Sequence, residues 1–430
     1  MMEEKKVNLK TKIAMVIDDG LFLEMACKMG EKFKEVLYYT PWECPYPTMN
    51  TGMVGYGMPN ITKALSIWDR FDEVDIFIFP SIYFGPLAVH IENCGKRVWS
   101  SKNGEEIEIY RNKQKKHMIK LGLPVAPYQV VKGMAALRDY LKLHNNVYVK
   151  IDLWRGQFET FASPSYSVVE PILDEIEYKM GPLKYITEFL IEDRLKDKVE
   201  IGCDMYTVDG KFPSKSLIGI EIKDMGYVGE FRNYEDVPKE VTNFNTKMAN
   251  TFKNYRYRGF FSTEIRVGKD HKDYMIDFTA RAPSPPNELY QELYSNLAEI
   301  IWYGSEGVLI DPIPAKKWGV QAMMYSSWGE NEFLPIKFPE SIKKYVKLMN
   351  SVKINNLYYT VPQPKGCSVV GAVIGMGNTL EEAMKMLKEN ADQVKAHDLD
   401  IKINFMDQAK EQMKKTQEFG IKLFSEINIK

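Results

Sequence analysis

The chain has few of the residues that build the simpler kinds of site. Its five cysteines, Cys27, Cys44, Cys94, Cys203 and Cys367, are scattered and odd in number. That excludes a disulfide framework and a zinc-finger spacing and fits reduced thiols in a cytoplasmic setting. The five histidines, His90, His117, His144, His271 and His397, share no ligand spacing, and no Ser/His/Asp or Cys/His nucleophile arrangement stands out. No apolar run is long enough to span a bilayer, which excludes a membrane partner. The opening Met-Met-Glu-Glu-Lys-Lys leads into no apolar stretch of the kind a signal peptide needs. An excess of charge of either sign is missing too. Lys+Arg 57 against Asp+Glu 58 leaves −1, so no global basic field argues for nucleic acid. Only a local cluster, Arg111, Lys113, Lys115 and Lys116, leaves that partner open. Internal repeats are absent, and the first strand is not followed by Gly-x-Gly-x-x-Gly, which removes the case for a dinucleotide site there.

What is present is a long globular chain. Its 430 residues are 45% apolar, enough for about two to four domains with sizeable cores. Ile13–Ile17, Val36–Tyr39, Val74–Phe79 and Arg97–Trp99 read as short strands, with helices at Leu21–Phe33 and Leu87–Asn93 between them. Strands alternating with helices at this spacing predict an open parallel α/β sheet. A long loop rich in Pro, Gly and Met, Thr40–Asn60, interrupts it. A helix from Arg111 stops at Gly122-Leu123-Pro124. Strands at Tyr128–Val131, Val147–Ile151, Tyr185–Ile191 and Val199–Val208, with helices at Met134–Leu143 and Pro171–Met180, make the central third α+β. Pro171 is read as the first residue of its helix, where a missing N–H does no harm. Near the C-terminus, Thr379 and Glu382 form a capping box ahead of a helix whose buried stripe is Leu380, Ala383, Leu387, Ala391 and Val394. A last helix is expected from Asp407 to Phe424.

The most informative segment is Gly259–Val267, a polar turn at Gly268–Asp273, then Tyr274–Arg281. Both runs alternate apolar and polar residues, as an antiparallel hairpin does. Phe261, Thr263, Ile265, Val267, Tyr274, Ile276 and Phe278 are expected on one face. Ser262, Glu264, Arg266, Asp277, Thr279 and Arg281 are expected on the other, with Glu264 opposite Asp277. Like charges directly opposite repel, so the pair needs a raised pKa, an arginine or a cation. A hard cation bridging two carboxylates and a phosphate is one answer. An exposed polar face neutralised by Arg266 and Arg281 is the other.

Order along the chain adds to this. Lys115 lies on a helix before Gly122-Leu123-Pro124, and Lys150 ends a strand. Glu188-Phe189-Leu190-Ile191 lies in a strand, Glu200 opens the next, and the two-carboxylate hairpin ends at Arg281. This series resembles the ATP-grasp superfamily. Within it the chain looks most like the glycinamide ribonucleotide synthetase (phosphoribosylamine–glycine ligase) family. The likeness includes Glu192 and Val199-Glu200, Asp277–Arg281, and Ser368–Val373 with Thr379–Ala383.

The resemblance implies an α/β and α+β multidomain ATP-grasp fold. A pre-ATP-grasp α/β domain would cover 1–108 and an ATP-grasp core 109–310, with lobes 109–184 and 185–310. An α+β C-terminal domain would cover 311–430. It implies ATP with Mg²⁺ or Mn²⁺ as cofactors. Lys115, Lys150, Glu188 to Ile191 and Glu200 would bind ATP. Glu264, Asp277 and Thr279 would hold the metal, and Arg281 with Lys150 would be catalytic. The implied reaction joins a small-molecule carboxylate to an amine through an acyl-phosphate, releasing ADP and phosphate. The substrate half departs from the family pattern. The loop after Lys150, Ile151–Gln157, has one glycine and carries Trp154 and Arg155. Thr279 stands where the family has asparagine. Lys223-Asp224 opens a segment that replaces a Gly-rich stretch. Trp154, Arg155, Lys223 and Asp224 are therefore expected at the substrate. Two other readings stay open: a degenerate nucleotide binder without ligase activity, and a ligase acting on a protein or a nucleic-acid base.

Overall fold

A computed structural model describes residues 7–41, 53–153, 159–362 and 368–425. The first sheet is built from β1 (Ile13–Ile17), β2 (Glu35–Tyr39), β3 (Thr62–Lys63), β4 (Ile76–Ile78) and β5 (Arg97–Trp99), in the order β3-β2-β1-β4-β5. All its pairings are parallel. Every residue of β1 is buried, with Ala14 and Val16 in one core and Ile13, Met15 and Ile17 in another. That is why β1 reads as an unbroken apolar run. Helices α1 (Leu23–Gly30) and α2 (Gly85–Asn93) supply the crossovers. The short pairing of β3 is an element that the sequence reading omits.

After α3 (Glu106–Ile109) and α4 (Arg111–Lys120) comes a four-stranded lobe. Its strands are β6 (Tyr128–Lys132), β7 (Val147–Ile151), β8 (Thr160–Ser163) and β9 (Glu188–Asp193), in the order β6-β9-β7-β8. Helices α5 (Met134–Leu143) and α6 (Tyr166–Met180) cover one face and enclose a separate core. The expected start of α6 at Pro171 is corrected to Tyr166, with Pro171 inside the helix. Burying Val169 together with Leu173 and Ile176 extends the helix back past the proline.

The largest sheet has nine strands. It contains β10 (Lys198–Val208), β11 (Lys215–Ile222), β12 (Gly226–Asn233), β13 (Arg258–Gly268), β14 (Asp273–Thr279) and β15 (Trp318–Tyr325). Between these run α7 (Lys239–Asn254), α8 (Asn287–Leu293), α9 (Leu297–Ser305) and α10 (Ser327–Asn331). Beyond them β16 (Leu334–Ile336), β18 (Ser351–Ile354) and β19 (Leu357–Thr360) form a small sheet, while β17 (Val346–Leu348), β20 (Val369–Gly377) and β21 (Asp400–Ile401) join the large one. Because β12 pairs with β15, the sheet crosses residue 310 without a break. Thr379 caps as expected, with Glu382 N donating to Thr379 Oγ1 at 3.2 Å, but the return bond to Glu382 Oε2 comes from Asn378 N at 2.7 Å, one residue before the cap. It opens α11 (Leu380–Ala391), and α12 (Phe405–Glu418) is the last helix. No helix among the described residues is long and apolar enough to cross a membrane.

The β13–β14 hairpin pairs Glu264 with Asp277 as the alternation predicts, but a bulge follows: Ile265 pairs with Met275, leaving Ile276 unpaired. The expected face of β14 changes accordingly. Met275 and Phe278 are buried and Ile276 is not fully so. An extra residue shifts side-chain parity by one, so Met275 takes the core place expected for Ile276.

Candidate active site

The polar face of the four-stranded lobe and the floor of the nine-stranded sheet bound a cleft of about 1030 Å³, at the upper end of small-molecule sites. Arg111 and Lys115 are four apart on α4, hence on one helical face, and both are buried. Lys150 joins them from β7. Nζ of Lys115 and Nζ of Lys150 each donate to the carbonyl of Ile276 at 2.8 Å. The bulge thus turns a backbone oxygen toward both lysines.

A third partner enters the sequence reading only through the family likeness. Glu192 bridges the two lysines, with Oε1 2.5 Å from Lys115 and Oε2 2.9 Å from Lys150. Burial, then the charge of Lys150, pushes Lys115 down to about 8, against the pull of Glu192. Burial acts on Lys150 in the same sense, but Asp277 and Glu192 outweigh it and hold that lysine above its ordinary value. Burial works to raise Glu192, yet the two lysines keep it below the usual carboxylate range.

Across the cleft, Asp277 pairs with the guanidinium of Arg111 and lies 3.7 Å from Lys150. Among the described residues Glu264 beside it has no such partner. Burial, then Glu200 and Asp277, push its carboxyl up to about 8. Thr279 lines the same floor. These three offer only hard oxygen donors on neighbouring strands, a set that fits Mg²⁺ or Mn²⁺, and the repulsion between the carboxylates is what a cation relieves. Glu200 pairs with Arg266 on the adjoining strand. Arg281 lies at the far end, its Nε donating to Glu108 Oε1 at 3.0 Å, while Glu108 Oε2 accepts from Ala280 N at 2.6 Å. Lys223 and Asp224 sit in the β11–β12 turn on the rim of the cleft. Trp154 and Arg155 lie outside the described residues.

Two expectations are corrected. Glu188 to Ile191 do not present free backbone, because β9 is central in its sheet and paired on both sides. Phe189 and Ile191 face the lobe's core. Glu188 accepts from Asn112 Nδ2 at 3.3 Å. The strand-end segment Glu192–Lys198 lines the cleft instead, four residues downstream. Second, the Arg111–Lys116 cluster is split: Arg111 and Lys115 are buried, while Lys113 and Lys116 are exposed and Lys113 pairs with Glu106. Sequence reasoning also missed Gln408, Gln412 and Lys415, one face of α12 that closes the rim. The abrupt change from Phe189-Leu190-Ile191 to Glu192-Asp193-Arg194 was the available signal for the strand end.

The assembled groups are three buried cations facing a carboxylate pair, with an arginine beyond. Such a site can neutralise a polyphosphate and hold a hard cation against it. Neither a family model nor a curated protein matches the sequence. Solved structures do. Phosphoribosylamine–glycine ligase from Thermotoga maritima is 17% identical with a TM-score of 0.67, over 90% of this chain and 98% of that one. The biotin carboxylase domain of Hydrogenobacter thermophilus 2-oxoglutarate carboxylase, solved with MgADP, ADP and bicarbonate, is 10% identical with a TM-score of 0.64, over 97% and 99%. N5-carboxyaminoimidazole ribonucleotide synthetase from Thermus thermophilus is 12% identical with a TM-score of 0.57, over 88% and 98%. These are ATP-grasp enzymes, and the fold of this chain is the ATP-grasp fold.

Proposed function

We propose that the chain is an ATP-dependent carboxylate–amine ligase that works through an acyl-phosphate. The observation that carries the reading is the placement of Arg111 and Lys150 opposite Glu264 and Asp277, with Lys115 buried behind Lys150 and Arg281 next along the floor. In this reading the segment Glu192–Lys198 meets the nucleotide base, and Glu200 the ribose. Lys115, Lys150 and Arg111 neutralise the phosphates, and Arg281 stabilises the transferred phosphoryl. Glu264, Asp277 and Thr279 would hold Mg²⁺ or Mn²⁺, which supplies charge neutralisation when bound. A substrate carboxylate attacks the γ-phosphorus and ADP leaves. An amine then attacks the acyl-phosphate, the C–N bond forms and phosphate leaves. Catalysis of this kind rests on positioning and electrostatics. Lys223 and Asp224 are proposed at the substrate end of the rim.

Mg²⁺-dependent ADP release, screened over amino acids paired with amine acceptors and including phosphoribosylamine, tests the reading. Release that requires one carboxylate and one amine is the expected result. Asp277→Asn should abolish turnover while circular dichroism stays unchanged; full activity in that variant rules out the metal assignment. A second reading, a nucleotide binder without ligase activity, is favoured by one feature. Glu192 and Asp277 already neutralise the cations that phosphates would meet. Tight ATP binding with no release in any pairing would select it.

A further inference from the structure

The cleft floor is a set of cross-strand rows. Nearest the segment Glu192–Lys198 is Glu200 with Arg266. Next is the carboxylate row, in which Glu264 faces Gly202 on one side and Asp277 on the other. The third row, about 7 Å further along the strands, places Ser262 between Asp204 and Thr279. Arg281 follows Thr279 on the same chain segment. A nucleotide with its base at the first row and its phosphates at the second leaves the third for the acceptor.

Asp204 is the charged residue of that third row. It is 6% exposed yet lines the cleft. Among the described residues no cation lies within 4 Å of it, which it shares with Glu264 but not with Glu192, Asp277, Glu200 and Glu108. Its partners are hydroxyls: Tyr227 Oη donates to Asp204 Oδ2 at 2.7 Å, and Ser262 bonds it from β13. The seat of that phenol is carved from glycine. A Cβ on Gly219 would lie 2.2 Å from Tyr227 Oη, and one on Gly229 2.7 Å from Tyr227 Cε1. A buried carboxylate without a cation is costly, and hydroxyl donors hold its position and favour its ionised form.

We infer that Asp204 is the general base of the amide-forming step, the group that takes the proton from the attacking amine. The inference rests on the ligase reading above. As the amine nitrogen bonds to the acyl carbon, the C–O bond to phosphate breaks and phosphate leaves with the electron pair. The proton shed by nitrogen passes to Asp204. Burial raises this carboxyl, its hydroxyl partners lower it, and it rests at about 6, close to what a base at neutral pH requires. The titratable groups around it are Glu221 on β11, Tyr227 on β12, Tyr290 on α8, Tyr294 just after that helix, and Cys203 on its own strand.

The test separates the two half-reactions. Wild-type protein receives MgATP labelled with ¹⁸O in the β–γ bridge and the common amino acids in turn. Scrambling of the label reports acyl-phosphate formation without any amine. Ammonia then serves as acceptor for whichever carboxylate scrambles. Asp204→Asn is expected to keep scrambling within several-fold and to lose amide formation by about 100-fold or more, with part recovered in Asp204→Glu. Tyr227→Phe removes one donor and should move the acidic limb of the amide step to higher pH, a shift that a structural role would not produce. Equal loss of both half-reactions in Asp204→Asn, unchanged amide formation, or an unmoved limb in Tyr227→Phe overturns the assignment. Absence of scrambling with every carboxylate in the wild type overturns the ligase reading, and the base falls with it.

Discussion

Glu264 and Lys115 both titrate near 8, for opposite reasons. Burial and two neighbouring acids raise the carboxyl, while burial and Lys150 lower the amine. A carboxyl raised in the folded state contributes no penalty at low pH, where it is protonated folded or unfolded. Its burial and its two acidic neighbours begin to cost stability as pH rises past about 4.5, the ordinary value, and the loss is complete above about 8. Glu264→Gln removes the charge. In the absence of Mg²⁺, its melting temperature relative to wild type should rise steadily between about pH 5 and about pH 9, by roughly 2–4 °C for each kcal/mol in a mid-sized domain. An equal difference at both pH values would refute the repulsion. This pair was legible in the sequence because alternation fixes which residues oppose each other. Glu192 was less so, since Glu188 and Glu192 are four apart in one strand and share its face. Only the position of β9 in the middle of its sheet, a non-local fact, tells which of them reaches the lysines.

At the scale of elements, the bulge at Ile276 does more than interrupt a ladder. Its carbonyl is the shared acceptor that holds Lys115 and Lys150 side by side. Deleting Ile276 would restore regular pairing while keeping Glu264 opposite Asp277. The two lysines would lose their common acceptor, and ATP affinity, measured by calorimetry, should fall about tenfold, the equivalent of one hydrogen bond to a charged group. Unchanged affinity would make the bulge incidental. Nothing local announces the bulge, because Tyr274-Met275-Ile276 is apolar throughout and fits either parity. The start of α6 was unreadable for a related reason. Proline is a good first helical residue, and only the packing of Val169 shows that the helix begins earlier. Where a signal is strictly local, as in the Thr379 cap and the helix it opens, sequence and structure agree.

At the scale of the molecule, pairings far apart in sequence set the architecture. The β12–β15 ladder joins segments separated by α7 to α9, and no composition or periodicity foretells it. Charged groups join other distant segments. Glu292 on α8 lies 3.0 Å from Lys28 of α1 and 2.8 Å from Lys347 of β17, and Lys347 is 3% exposed. Glu292→Ala leaves a buried cation unpaired and should reduce stability by about 3–5 kcal/mol, seen as a lower urea midpoint. A midpoint unchanged within error would show the network to be dispensable.

The nine-stranded sheet carries Glu264, Asp277, Thr279 and Asp204 on one surface and continues into β15, β20 and β17. The four-stranded lobe has its own core and leads into that sheet through the short segment Arg194–Asp197. Lys150 of the smaller lobe already reaches the floor, where its Nζ donates to the Ile276 carbonyl at 2.8 Å. The extra residue in β14 is thus the clasp by which the two surfaces that bound the cleft hold each other.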